Sequence, residues 1–285
     1  MLAPEIVLLA AAIGILVVGA FRQWPQLMRG VAGAALATAA IVLWRQQGAT
    51  LAEGAVDIDG LSHFLRWLAL AVGTLLLCVV ERPNSRAEQP EYIGSLLLTI
   101  AGFMLAVSAA DMVLLFLALE LISIPTYILL YLGRPDPAAQ EAGAKYFFLS
   151  VLASAMFLYG LCFLYGATGN MHIGIAGQSL HRLLESEGII SLASGGWTIT
   201  LLRIGGVLVF AGLGLKIAAV PFHFYAPDVY QGTTNTNAAL LSVVPKAAGL
   251  LAMLRLLWLA MPAEIVSAAH LWRVAAVLAL LSMTV

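Results

Sequence analysis

Residues 111–133, DMVLLFLALELISIPTYILLYLG, decide how this chain is read. The stretch is long enough to cross the hydrocarbon layer as a helix, which takes about 20 apolar residues. Its one internal charge is Glu120. An ionisable group at the bilayer centre costs about 2.5–3.5 kcal/mol even on the lenient insertion scale. Two more charges recur in the same setting: Lys216 in VFAGLGLKIAAVPFHF (209–224) and Lys246 in AALLSVVPKAAGLLAML (238–254). One acid and two lysines at that depth point to a path for protons or ions.

The rest of the composition agrees. Of 285 residues, 62% are apolar and 10% charged, against about 25% charged in a soluble domain. The mean hydropathy is +0.97. A net charge of −1 gives no reason to propose nucleic acid as a partner. Cys78 and Cys162 lie inside apolar runs and read as small packing residues, not a disulfide or metal pair. The N-terminus carries Glu5 and no positive charge ahead of its apolar run, so it reads as a retained first span and not a signal peptide.

The apolar runs predict an all-α, polytopic membrane helix bundle of about nine spans: 4–21, 27–44, 61–80, 91–109, 112–132, 141–166, 199–220, 236–260 and 268–285. Most loops are short. Residues 168–198 are the exception, and HRLLESEG (181–188) within them reads as a small surface helix. The odd-numbered loops hold Arg22, Arg29, Arg82, Arg86 and Arg134, while the even-numbered ones hold Arg45 and Arg182. This bias places the odd loops in the cytoplasm and the N-terminus outside. The connection PFHFYAPDVYQGTTNTN (221–237) contains Pro221, Pro227 and Gly232. Backbone groups freed inside lipid must be met by protein or a wet cavity, so the seventh span is expected to break after Lys216 and continue past His223. An aromatic interfacial loop is the other reading of the same residues.

Lysine suits a relay because its protonation responds readily to burial, whereas arginine stays charged. Arg22, Arg29, Arg45, Arg82, Arg134, Arg255 and Arg273 lie at helix ends, with Arg203 near a span start, where they can snorkel to headgroups. Lys145, about two turns into the sixth span, either snorkels or pairs with Glu120. Pro125, Pro221 and Pro245 lie near the three central charges, and each removes a helix hydrogen bond where water could enter. Ser123, Thr126, Tyr127, Ser150, Ser154 and Ser242 read as packing polars. Histidine is the residue type suited to proton exchange near neutral pH, and His223 follows Lys216 by two helical turns. No metal-ligand spacing, Gly-rich phosphate loop or nucleophile–base arrangement stands out.

The stretches LALELISIPTYILL (117–130), AKYFFLSVLASAMFLYGLCFLYGATG (144–169), GLKIAAVPFHFYAPDVYQG (214–232) and VPKAAGLLAMLR (244–255) resemble the antiporter-like membrane subunits of respiratory complex I, with the subunit N type most similar. The resemblance covers roughly residues 90–260. It implies three N-terminal helices over 1–90, a first five-helix antiporter-like repeat with a broken helix seven over 91–260, and the start of a second repeat over 261–285. The second repeat is largely missing, and the sequence reads as a portion of a longer chain. The resemblance further implies that Glu120, Lys145, Lys216, Lys246 and His223 form a proton relay coupled to quinone reduction elsewhere in the complex. It implies no cofactor on this chain, with NAD, FMN, iron–sulfur clusters and quinone on other subunits. The expected partners are other membrane-arm subunits in a bacterial inner membrane. Alternatives are a subunit of a multi-chain cation/proton antiporter or membrane-bound hydrogenase, and a scaffold whose buried charges only lock helix registry.

Overall fold

The computed structural model describes residues 1–22, 24–46, 51–79, 89–134, 136–179 and 197–260. Among them, eight helical segments are long and apolar enough to cross a membrane. The ninth expected span (268–285), the whole 261–285 unit and the HRLLESEG helix lie outside the described residues.

Local chemistry sets where the helices begin and stop. Helix α1 (Ala3–Phe21) and α2 (Pro25–Arg45) each carry proline in the first turn, where its missing N–H is harmless. Helix α3 spans Gly60–Val79 and α4 spans Gln89–Ser108. Asp111 caps α5 (Met112–Gly133), accepting from the Val113 N–H at 2.8 Å. Asp136 caps α6 (Pro137–Thr168), accepting from the Ala139 N–H at 2.7 Å. Such caps satisfy helix N–H groups that otherwise have no partner. Helix α6 ends at Gly169, whose φ of 68° suits a residue without Cβ.

One feature was not expected from an all-helical reading. Leu51–Glu53 and Val56–Ile58 (β1 and β2) form a small antiparallel hairpin ahead of α3. Ala55 accepts from the Ala110 N–H, and Ala110 from the Ile173 N–H, both at 2.8 Å. The hairpin, the α4–α5 turn and the segment after α6 therefore share one end of the bundle. Strands this short carry no hydrophobic period, so the pairing is a tertiary outcome.

The seventh span breaks as expected. Helix α7 (Trp197–Ile217) stops one residue after Lys216. Ala218 then takes a left-handed φ of 55°, and the Val220–Pro221 bond is cis. The chain resumes as a 3-10 turn (Phe222–Tyr225) and a short helix α8 (Ala226–Gly232). The Tyr225 hydroxyl donates to the Leu215 carbonyl at 2.7 Å, meeting an acceptor beside the break. By contrast, Pro125 and Pro245 lie inside continuous helices, α5 and α9 (Asn235–Ala260). Among the described residues, only Pro221 of the three coincides with a break.

Helix α4 is buried on nearly every face, packed against α1, α3, α5 and α9. The outer faces of α1, α2, α3 and α7 leave Ile13, Ile41, Leu75 and Val207 exposed, as a lipid-facing or partner-facing surface requires. Asn237 ties three helices together. Its amide donates to the Leu129 carbonyl at 2.6 Å and accepts from the Tyr92 hydroxyl at 2.5 Å.

Candidate proton-relay site

Helices α5, α6 and α7 meet around Glu120. The approach of α6 to α7 is backbone on backbone, because glycines line the crossing. A Cβ on Gly212 would lie 2.7 Å from the Ala153 carbonyl oxygen, and one on Gly160 would lie 2.7 Å from the Val209 nitrogen. Small residues at such crossings are how membrane helices come close. This contact brings Ser154 of α6 and Lys216 of α7 to the same carboxylate.

Lys216 donates to Glu120 Oε1 at 3.2 Å and to Ser123 Oγ at 2.9 Å. Ser154 Oγ donates to the same Glu120 oxygen. The Lys216 side chain is 6% exposed and that of Glu120 22%. Lys216 also sits in the last turn of α7, where the negative end of the helix dipole favours a cation. A buried ammonium thus has one acid, one hydroxyl and a helix end for company. Ser123 is held by its own bond to the Leu119 carbonyl at 2.8 Å.

The other expected relay residues are placed differently. Lys145 does not reach Glu120. Its Nζ pairs with Asp228 at 2.6 Å and with Glu141 at 2.8 Å, and its side chain is 42% exposed. The cause is rotational: Lys145 faces the rim of α6, while the neighbouring Tyr146 takes the inward position and is buried. Lys246 lies on α9 with its Nζ 5.2 Å from the centre of the Tyr230 ring. His223 lies in the 3-10 turn with its Nδ1 buried and without a hydrogen-bond partner.

Sequence reading also missed two charged contacts away from Glu120 and Lys145. Arg66 of α3 and Glu5 of α1 form a bidentate pair, with Nε–Oε1 and Nη2–Oε2 both 2.7 Å. Both side chains are 0% exposed. The available signal was an arginine within the first two turns of an otherwise apolar span. Arg255, read as a snorkelling end residue, instead donates to the Ala109 and Val107 carbonyls and to Ser62 Oγ. Those carbonyls at the end of α4 need donors, and α9 brings the guanidinium to them.

A polytopic bundle with an acid–lysine pair held inside it, beside a broken helix, defines a class: membrane proteins that keep titratable groups at depth within their spans. The particular family is set by comparison. Residues 109–285 match the family described as NADH:quinone oxidoreductase/Mrp antiporter, transmembrane, and the chain belongs to it. Similar curated proteins include NADH-quinone oxidoreductase subunit N 2 of Roseiflexus castenholzii (strain DSM 13941 / HLO8). It is 39% identical over 237 residues, covering 81% of this chain and 45% of that one. Subunit N of Trichlorobacter lovleyi (strain ATCC BAA-1151 / DSM 17278 / SZ) is 34% identical, covering 99% and 56%. The chain therefore spans about half the length of the curated relatives it matches. Among solved structures, a chain of respiratory complex I from Thermus thermophilus with bound aureothin matches with a TM-score of 0.72 at 30% identity, covering 88% of this chain and 52% of that one. A chain of the Mrp complex from Dietzia sp. DQ12-45-1b matches with a TM-score of 0.65 at 24% identity, covering 90% and 48%. That last likeness is one of fold alone.

Proposed function

We propose that this chain serves as a membrane-arm subunit of a proton-pumping NADH:quinone oxidoreductase and moves protons through its buried acid and lysines. The observation that carries the reading is the Lys216–Glu120 contact, 3.2 Å long with the lysine 6% exposed. An ammonium so enclosed keeps its proton largely through one carboxylate. Drawing Glu120 toward another cation, or changing its charge, would release that proton. Ser123 and Ser154 hold the two groups in register during the exchange. Lys246 and His223 stand as onward positions on the far side of the break, and Lys145 acts at the rim.

The chain itself is proposed to hold no redox centre. Quinone reduction elsewhere in the complex would supply the electrostatic signal, with flavin, iron–sulfur clusters and NAD on other subunits. The arginine bias supports an orientation with the N-terminus outside, and the bacterial sources of the relatives support a bacterial inner membrane setting.

Glu120→Gln and Lys216→Arg test the reading in native membranes, with proton uptake and NADH-driven quinone reduction measured together. Both variants should assemble and lose coupled proton movement, since the first removes the switchable charge and the second keeps a charge that cannot release its proton. Wild-type pumping in either would overturn the role. Purification separates this reading from a gradient-driven antiporter or membrane-bound hydrogenase, because only complex I would bring NADH-reducible flavin and quinone reductase activity along with the chain.

A further inference from the structure

One end of the bundle carries a surface cavity of about 400 Å³ lined by Arg134, Glu141, Lys145, Asp228 and Gln231. Across it, Lys145 of α6 and Asp228 of α8 meet at 2.6 Å. Glu141, the second acid on Lys145, belongs to α6 itself and bridges nothing. Next to the residues that line the cavity is a buried aromatic cluster. Tyr146, next in sequence to Lys145, is 6% exposed, and Tyr225, three residues before Asp228, is 8% exposed. Their ring centres are 6.2 Å apart, and Tyr127 lies 5.7 Å from Tyr146 on the other side.

Through Tyr127 these rings reach toward the relay pair, whose Glu120 charge acts on the Tyr127 hydroxyl. Tyr127 follows Glu120 by two turns of α5 and Ser123 by one, so the three share a face. Its hydroxyl is buried and lies near Ser123, Ser150 and the Glu120 charge, so it stands on the relay side of the aromatic cluster. Tyr225 is tied by its hydroxyl to the Leu215 carbonyl, one residue before Lys216. Movement of the 3-10 turn and α8 away from α6 would separate Tyr225 from Tyr146 and pull on the backbone that carries Lys216. The bridge that opposes such movement at the surface is Lys145–Asp228.

We propose that the Lys145–Asp228 pair is the latch of a tyrosine gate, Tyr146 against Tyr225, which closes the surface cavity off from the buried Glu120–Lys216 pair. Lys145 is then a positioning residue at the rim. An exposed ion pair is weak, and that suits a gate that must open in each cycle.

The gate serves the proton route proposed above, so its test does not depend on pumping. Cys78 and Cys162 are replaced by serine, and Ser150→Cys, one turn beyond Tyr146 and buried, reports access from the cavity. A small charged thiol reagent is applied to native membranes. Asp228→Ala and Lys145→Ala should each speed labelling roughly two- to fivefold, the scale set by losing one exposed ion pair. The double variant should go no further, and Glu141→Ala should leave the rate unchanged. An unchanged rate in Asp228→Ala, or an equal rise in Glu141→Ala, overturns the latch. If labelling responds while Glu120→Gln still pumps, the gate stands and the proton role falls. If Glu120→Gln stops pumping but labelling does not respond, the gate falls alone.

Discussion

The α6–α7 crossing makes a quantitative prediction about Gly212. An alanine Cβ there would lie 2.7 Å from the Ala153 carbonyl oxygen and 2.8 Å from the Phe157 nitrogen. Both are backbone atoms and cannot swing aside. To regain an ordinary contact of 3.4 Å, the helices must part by about 0.7 Å. Lys216 lies one turn beyond Gly212, and Ser154 follows Ala153 directly. A shift of that size along the Lys216–Ser123 bond would stretch it from 2.9 Å to about 3.6 Å, beyond hydrogen-bonding range. A bond to a charged group is worth about 1.5–3 kcal/mol, and 1.4 kcal/mol is a factor of ten. Gly212→Ala should therefore lower coupled proton translocation at least about tenfold while the protein still assembles. The assay is dye quenching in inverted vesicles, normalised to the amount of chain by immunoblot. Gly206→Ala is the control, because a Cβ there meets nothing within 4 Å, and it should behave as wild type. Full pumping in Gly212→Ala, or equal damage in Gly206→Ala, would refute the packing argument.

Other expectations follow from the remaining charges. Glu5→Leu strands the Arg66 guanidinium, whose side chain is 0% exposed, and should cost about 3–5 kcal/mol. The double variant Glu5→Leu/Arg66→Met should return most of that, as read by denaturant unfolding in detergent; a double variant as weak as the single would argue against an isolated pair. Asp59 lies outside the spans and is held below its ordinary value of 3.8: burial works against its charge, but the hydrogen bonds at Ser62 and the charge of Arg255 outweigh it. A lowered value means stability present above the ordinary one and lost as pH falls through the folded one. Asp59→Asn should thus be less stable than wild type at neutral pH, with the gap closing below about pH 4, measured by thermal unfolding across pH 3–7.

How much of this was legible in advance depended on the residue. Glu120, Lys216 and Lys246 announced themselves because a charge in a run of apolar residues has no bland explanation in lipid. The break after Lys216 was legible because Pro221 and the polar connection behind it cannot continue a helix. Lys145 was ambiguous for a geometric reason. Neighbouring positions on a helix point about 100° apart, and residue spacing alone did not say whether Lys145 or Tyr146 faced inward. The Glu5–Arg66 pair spans 61 positions, and each partner alone reads as an end residue able to snorkel. Asp228 was overlooked because nothing local marks an exposed acid as a partner.

Composition and hydropathy alone thus determined a membrane bundle, the number and rough limits of its described spans, and that Glu120 and Lys216 lie within it. These properties are sums over local stretches, and lipid enforces them segment by segment. Only the tertiary structure decided who pairs with whom: Lys216 with Glu120, Lys145 with Asp228, Arg66 with Glu5, and Arg255 with the end of α4. Pairing depends on the rotation and separation of helices. Those are set by glycine-lined crossings such as Gly212 on Ala153, where side-chain volume from distant parts of the chain meets.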